Sequence, residues 1–129
     1  MPLMKFHIYE GWPKEKITEL LDAAHHAMVR SFNVPIRDRY QLLNTFSNDS
    51  MIMQDTGLDI PRTERFVLVE VVSRPRTTEE KQAFYLNLSE DLLEKCNISP
   101  SDVMVSLVEN SDADWSFGFG RAQFLTNEL

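Results

Sequence analysis

From Leu3 to Tyr9 the chain alternates, with Met4, Phe6 and Ile8 on one side and Leu3, Lys5, His7 and Tyr9 on the other. A period of two residues puts successive side chains on opposite faces, so this stretch predicts a half-buried strand. Gly11-Trp12-Pro13 interrupts it, and proline suits the first turn of a helix because its missing N–H needs no partner there. Ile17, Leu20, Leu21, Ala24 and Met28 then recur at helical spacing, predicting a helix to about Phe32 that Asn33-Val34-Pro35 stops. Tyr40 to Phe46 reads as a second strand, and a strand-helix-strand order implies a parallel pair. Ser47 to Thr63 is polar and contains Asn48-Asp49, Gly57 and Pro61; it predicts a long connection with a short strand near Met51 to Met53.

The pattern then repeats. Phe66 to Val72 is nearly continuous and β-branched, the profile of a strand covered on both faces. Thr77 and Glu80 have the spacing of a capping box, and Phe84, Leu88 and Leu92 follow at four-residue intervals in a second helix. Asn97-Ile98-Ser99-Pro100 stops that helix before a strand from Val103 to Val108. An offset of 64 residues pairs Leu20 with Phe84, Ala24 with Leu88, Met28 with Leu92, Phe32 with Cys96, Asn33 with Asn97, Val34 with Ile98 and Asp38 with Asp102. These pairings predict a single α+β domain over residues 1–129, duplicated as halves of about 1–62 and 63–129. Its four-stranded sheet would carry both helices on one face, leaving the opposite face for an oligomer to cover. From Asp112 to Gly120 aromatics alternate with small residues, which predicts a short hairpin, serving either as a patch on the core or an interface, or as an apolar wall around a small pocket.

Composition narrows the possible functions. A chain of 129 residues with 43% hydrophobic positions can bury a real core. A net charge of -7 argues against nucleic acid, and it means that an anionic substrate must be drawn in by local cations. The single cysteine, Cys96, excludes an internal disulfide and any multi-cysteine metal site; its place on a buried helix face predicts a packed thiol. No apolar run approaches the ~20 residues that span a bilayer, and the expected location is the cytoplasm. His25 and His26 are about 100° apart on a helix and cannot share one site, so no metal is expected, and no phosphate loop or nucleophile elbow suggests a cofactor.

The candidate chemistry is concentrated in few residues. If the initiator methionine is trimmed, Pro2 presents a secondary amine able to act as base, acid or nucleophile, since an α-amino group titrates near pH ~8 and burial lowers that value. Arg74 and Arg76 flank Pro75 at a strand exit, either aimed together at one carboxylate or solvated apart. Asp38, between Arg37 and Arg39, is either a turn residue or an ionised carboxylate that orients water.

With these features in place the chain resembles the tautomerase superfamily, and within it the malonate semialdehyde decarboxylases. The resemblance rests on Leu21-Asp22-Ala23-Ala24-His25, Val34-Pro35 with Arg37-Asp38-Arg39-Tyr40-Gln41, Asp55-Thr56-Gly57-Leu58, Ser73-Arg74-Pro75-Arg76, Ile98-Ser99-Pro100-Ser101-Asp102 and Asp114-Trp115-Ser116-Phe117-Gly118. It implies a homotrimer and a cofactor-free decarboxylation of 3-oxopropanoate to acetaldehyde and carbon dioxide. It further implies Pro2, Asp38, Arg74 and Arg76 as catalytic residues, and Arg74, Arg76, Trp115, Phe117, Phe124 and Leu129 as contacts to a small anionic oxo acid. Hydration or keto-enol tautomerisation on the same site, and a non-catalytic binding protein of this fold, are the alternatives.

Overall fold

The structure is a computed structural model and describes residues 2–129; the expected removal of Met1 lies outside the described residues. Six principal elements follow in order: β1 (Leu3–Tyr9), α1 (Lys14–Phe32), β2 (Tyr40–Phe46), β3 (Val67–Ser73), α2 (Thr78–Cys96) and β4 (Val103–Glu109). The strands form one sheet in the order β2-β1-β3-β4. β1 runs parallel to β2 and antiparallel to β3, and β3 runs parallel to β4.

The duplication is visible element by element. Each half contributes a strand of 7 residues, a helix of 19 and a strand of 7. The offset is 64 for β1/β3 and for α1/α2, and it slips to 63 at β2/β4. One extra residue therefore lies between α1 and β2, in the loop that carries Asp38. Both helices end on an asparagine in the left-handed conformation, Asn33 (φ 52°) and Asn97 (φ 55°), whose short polar side chain tolerates that backbone. At the start of α2 the expected capping box is formed: Glu80 N–H donates to Thr77 Oγ1 (3.1 Å) and Thr77 N–H to Glu80 Oε1 (2.9 Å).

One core holds the two layers together. Met4, Phe6 and Ile8 of β1 and Val67, Val69 and Val71 of β3 pack with Leu20, Ala24, Met28 and Phe32 of α1 and with Phe84, Leu88, Leu92 and Cys96 of α2. Both helices therefore lie on the same face of the sheet. Arg30 on α1 makes a two-pronged ion pair with the buried Asp91 on α2, at 2.7 and 3.1 Å.

Three sequence expectations need correction. β3 is covered on one face only, because Val67, Val69 and Val71 are buried while Glu70 between them is exposed. No strand forms at Met51 to Met53: Met51 is buried and its carbonyl accepts from the Tyr9 hydroxyl, but Ile52 is 76% exposed and no ladder forms there. The hairpin after β4 is reduced to a single bridge between Gly118 and Arg121, preceded by a 3-10 turn at Asp112–Asp114.

Candidate active site

The antiparallel pairing of β1 with β3 brings the start of one strand to the end of the other. Leu3 lies opposite Val72 on one side and Tyr40 on the other. One step further along these ladders puts Pro2, which is buried, beside Ser73 and Arg39. The start of β1, the exit of β3 and the entry to β2 thus meet at one edge, and they carry Pro2, Arg74 with Arg76, and Asp38.

Ser73 organises the two arginines. Its wholly buried hydroxyl donates to the Arg74 carbonyl (2.8 Å) and accepts from Arg76 Nε (3.0 Å). Arg76 also donates from a terminal nitrogen to the Phe32 carbonyl (3.3 Å), and its guanidinium carbon lies 4.9 Å from the centre of the Phe32 ring. The backbone N–H of Arg76 donates to Glu109 Oε2 (2.8 Å), which fixes the loop itself. Arg74 leans the other way: its Nε donates to Asp112 Oδ1 (2.7 Å) and its guanidinium carbon lies 4.1 Å from the centre of the Phe124 ring. Both arginines line one cleft of about 340 Å³ with Pro75 and Asp112.

Asp38 lies in an adjacent hollow of about 510 Å³, which Tyr40, Phe117, Gln123 and Leu129 also line. Its carboxyl is buried, and that burial pushes its pKa above the ordinary value of 3.8 against the pull of Arg76 and His25. Its sequence neighbours are not among the groups holding it ionised: Arg39 turns away to Asp22 (2.8 Å) and Gln41 (2.8 Å), while Arg37 lines the wall of the same hollow. His25, buried on α1, bonds through Nε2 to the carbonyl of Ile36 (2.6 Å) and so ties the helix to the loop carrying Asp38. His26, one position and about 100° further round the helix, is exposed. Asp102, the counterpart of Asp38 by helix register, accepts from the backbone N–H and hydroxyl of Thr63, at 2.7 and 2.6 Å. Its role is to tie down the entry to β3.

The aromatic segment joins the two hollows. Trp115 stacks on Phe117 with ring centres 5.6 Å apart and planes inclined by 8°. Phe117 meets Tyr40 at 5.9 Å and the edge of Phe124 at 5.5 Å, and Phe124 in turn carries Arg74. Leu129 stands at the rim, 64% exposed. The eight expected residues are therefore brought to one region but not into one cavity: Arg74 and Arg76 line the first hollow, Asp38, Phe117 and Leu129 the second, and Phe124 bridges them.

Four neighbours had no assigned role in the sequence: Ser73, Tyr40, Asp112 and Gln123. Gln123 is buried, accepts from Phe117 N–H (2.9 Å) and donates to the Gly118 carbonyl (2.8 Å), holding the turn that presents Phe117. Ser73 stood within the Ser-Arg-Pro-Arg stretch, so a signal existed for it. Among the described residues, no group of three or more His, Cys, Asp and Glu side chains is placed to hold a metal ion.

Comparisons with known proteins agree with this architecture. A family model described as "Tautomerase enzyme" matches residues 38–118. The probable tautomerase YrdN of Bacillus subtilis (strain 168) is 46% identical over 129 residues, covering all of both chains. A crystal structure of malonate semialdehyde decarboxylase, described as a basis for that enzyme's decarboxylase and hydratase activities, is 52% identical with a TM-score of 0.97 and 98% of each chain covered. A fused 4-OT that forms a symmetric trimer is 26% identical, with a TM-score of 0.74 over 92% of this chain and 94% of that one. With a family model spanning most of its length and a full-length relative at this identity, the chain belongs to the tautomerase family of enzymes.

Proposed function

We propose that this protein is a cofactor-independent decarboxylase that converts 3-oxopropanoate to acetaldehyde and carbon dioxide, with Pro2 as the reacting amine. The observation that carries the reading is the meeting of two arginines with the N-terminal end of β1, at the edge where Asp38 also lies. Similarity to malonate semialdehyde decarboxylase supports it.

The chemistry follows from charge. Breaking the bond between the carboxylate carbon and C2 sends its electron pair toward C3, so the aldehyde needs an electron sink, and C2 afterwards takes up a proton. Pro2 supplies the sink in one of two ways: protonated, it donates a hydrogen bond to the aldehyde oxygen; neutral, it condenses to an iminium ion. Arg74 and Arg76 together hold the carboxylate and turn the breaking bond out of the carbonyl plane. Asp38 accepts a hydrogen bond from Pro2 or from a water. Trp115, Phe117, Phe124 and Leu129 form an apolar wall, which favours dispersal of the carboxylate charge.

The active unit in this reading is a homotrimer in the cytoplasm. Leu42, Met104 and Val108 are exposed on the sheet face away from the helices, an apolar surface that subunit contact would cover, and a fused 4-OT of this fold is a symmetric trimer. A second reaction on the same site, hydration of an unsaturated oxo acid, is favoured by the buried Asp38, whose raised pKa suits a water-activating base. Incubation with 3-oxopropanoate, following acetaldehyde and carbon dioxide, tests the first reading; hydration of an acetylenic acid without decarboxylation would replace it with the second.

A further inference from the structure

We infer that Asp112 is a positioning residue, and that it assigns the two arginines different tasks: Arg76 anchors the substrate carboxylate and Arg74, held by Asp112, orients it. The inference rests on the decarboxylase reading. Asp112 opens the 3-10 turn after β4, yet that turn does not need its carboxylate. The turn is closed by Asp114, whose Oδ2 accepts from the backbone N–H (2.7 Å) and hydroxyl (2.9 Å) of Ser111. The next residue, Trp115, is fixed independently by its Nε1 donating to Asn110 Oδ1 (2.7 Å). Among the described residues the Asp112 carboxylate bonds to Arg74 alone, at 2.7 Å.

That bond uses only Nε of Arg74, and no protein group bonds its two terminal nitrogens among the described residues. The guanidinium is at the same time laid against Phe124, at 4.1 Å. A planar fork fixed at one edge and on one face can turn only slightly, so its terminal N–H pair is set in direction before a carboxylate arrives. Asp112 also offsets part of the charge of Arg74, whereas Arg76 has no carboxylate within ion-pair distance among the described residues and feels Glu80 and Asp38 only from further away, which leaves it the stronger electrostatic anchor. Fixing the angle of the breaking bond is a contribution to turnover rather than to binding.

The experiment is a double-mutant cycle on decarboxylation of 3-oxopropanoate with Asp112→Ala, Arg74→Ala and the pair, together with Asp112→Asn. Asp112→Ala is expected to lower kcat about tenfold without raising KM. Asp112→Asn, which keeps an oxygen acceptor for Nε, should recover most of the loss, and Asp112→Ala should cost nothing further once Arg74 is absent. A loss appearing in KM, an asparagine variant as poor as alanine, or additive losses would each overturn the inference. Calorimetric titration with malonate separates this from failure of the decarboxylase reading. Whatever the catalysed reaction, malonate affinity should fall in Arg76→Ala and stay close to that of the wild type in Asp112→Ala, and a loss in Asp112→Ala as large as in Arg76→Ala would overturn the inference even if the wild-type protein decarboxylates.

Discussion

Replacing Arg76 with alanine tests the carboxylate anchor. The side chain is held at one end by Ser73 Oγ and the Phe32 carbonyl, at 3.0 and 3.3 Å, so its removal withdraws a pre-set cation from the cleft. A hydrogen bond to a charged group contributes roughly 1.5–3 kcal/mol, and about 1.4 kcal/mol is tenfold, so kcat/KM should fall by roughly 10- to 150-fold. A second consequence follows from Asp38. Arg76 opposes the upward push of burial on that carboxyl, and without Arg76 the Asp38 pKa rises further. More of Asp38 is then protonated at a given pH, and the acidic limb of the kcat/KM profile should move to higher pH. Acetaldehyde release measured for both proteins from below pH 3.8, the ordinary value for Asp38, up to about pH 9 reads both effects. A fall of less than threefold, or an unmoved acidic limb, would refute the assignment.

Two further expectations concern stability. Asp38 has a pKa raised by burial, so it adds stability below its ordinary pKa of 3.8 and loses it as pH rises through the folded-state value. Asp38→Asn should therefore raise Tm at pH 7 while lowering activity, with the gain vanishing below pH 3.8; a lower Tm at pH 7 would contradict this sign. Leu88 is fully buried between α2 and the sheet, and Leu88→Ala should cost about 2–5 kcal/mol in urea unfolding, whereas a cost under 1 kcal/mol would mean that the site collapses on the cavity.

The sequence showed the scaffold more fully than the site, for physical reasons. Alternation over seven residues is a long signal, and β1 has the bounds that Leu3 to Tyr9 predict. The Thr77–Glu80 box and the two asparagine stops are local chemistry, readable without tertiary information. Three residues at Met51 to Met53 carry no comparable signal, and whether they pair depends on an available strand edge that the sequence does not display. The same limit applies to Asp112 and Gln123. An aspartate 38 residues beyond Arg74 becomes its partner only because β3 and β4 run side by side, and Gln123 matters only because the chain turns back at Gly118. Arg74 and Arg76 were legible as a pair, but their opposite leanings, toward Phe124 and Phe32, depend on which rings the fold brings near.

The central claim is that Pro2 acts with the arginines on a small oxo acid. Its most direct test is acetaldehyde release from 3-oxopropanoate by the wild type and by Pro2→Ala, with circular dichroism and oligomer mass matched between the two. Turnover in the wild type that falls at least a hundredfold in the folded variant is the result expected for a reacting group. Equal rates in the two proteins, or no acetaldehyde from either, would contradict it.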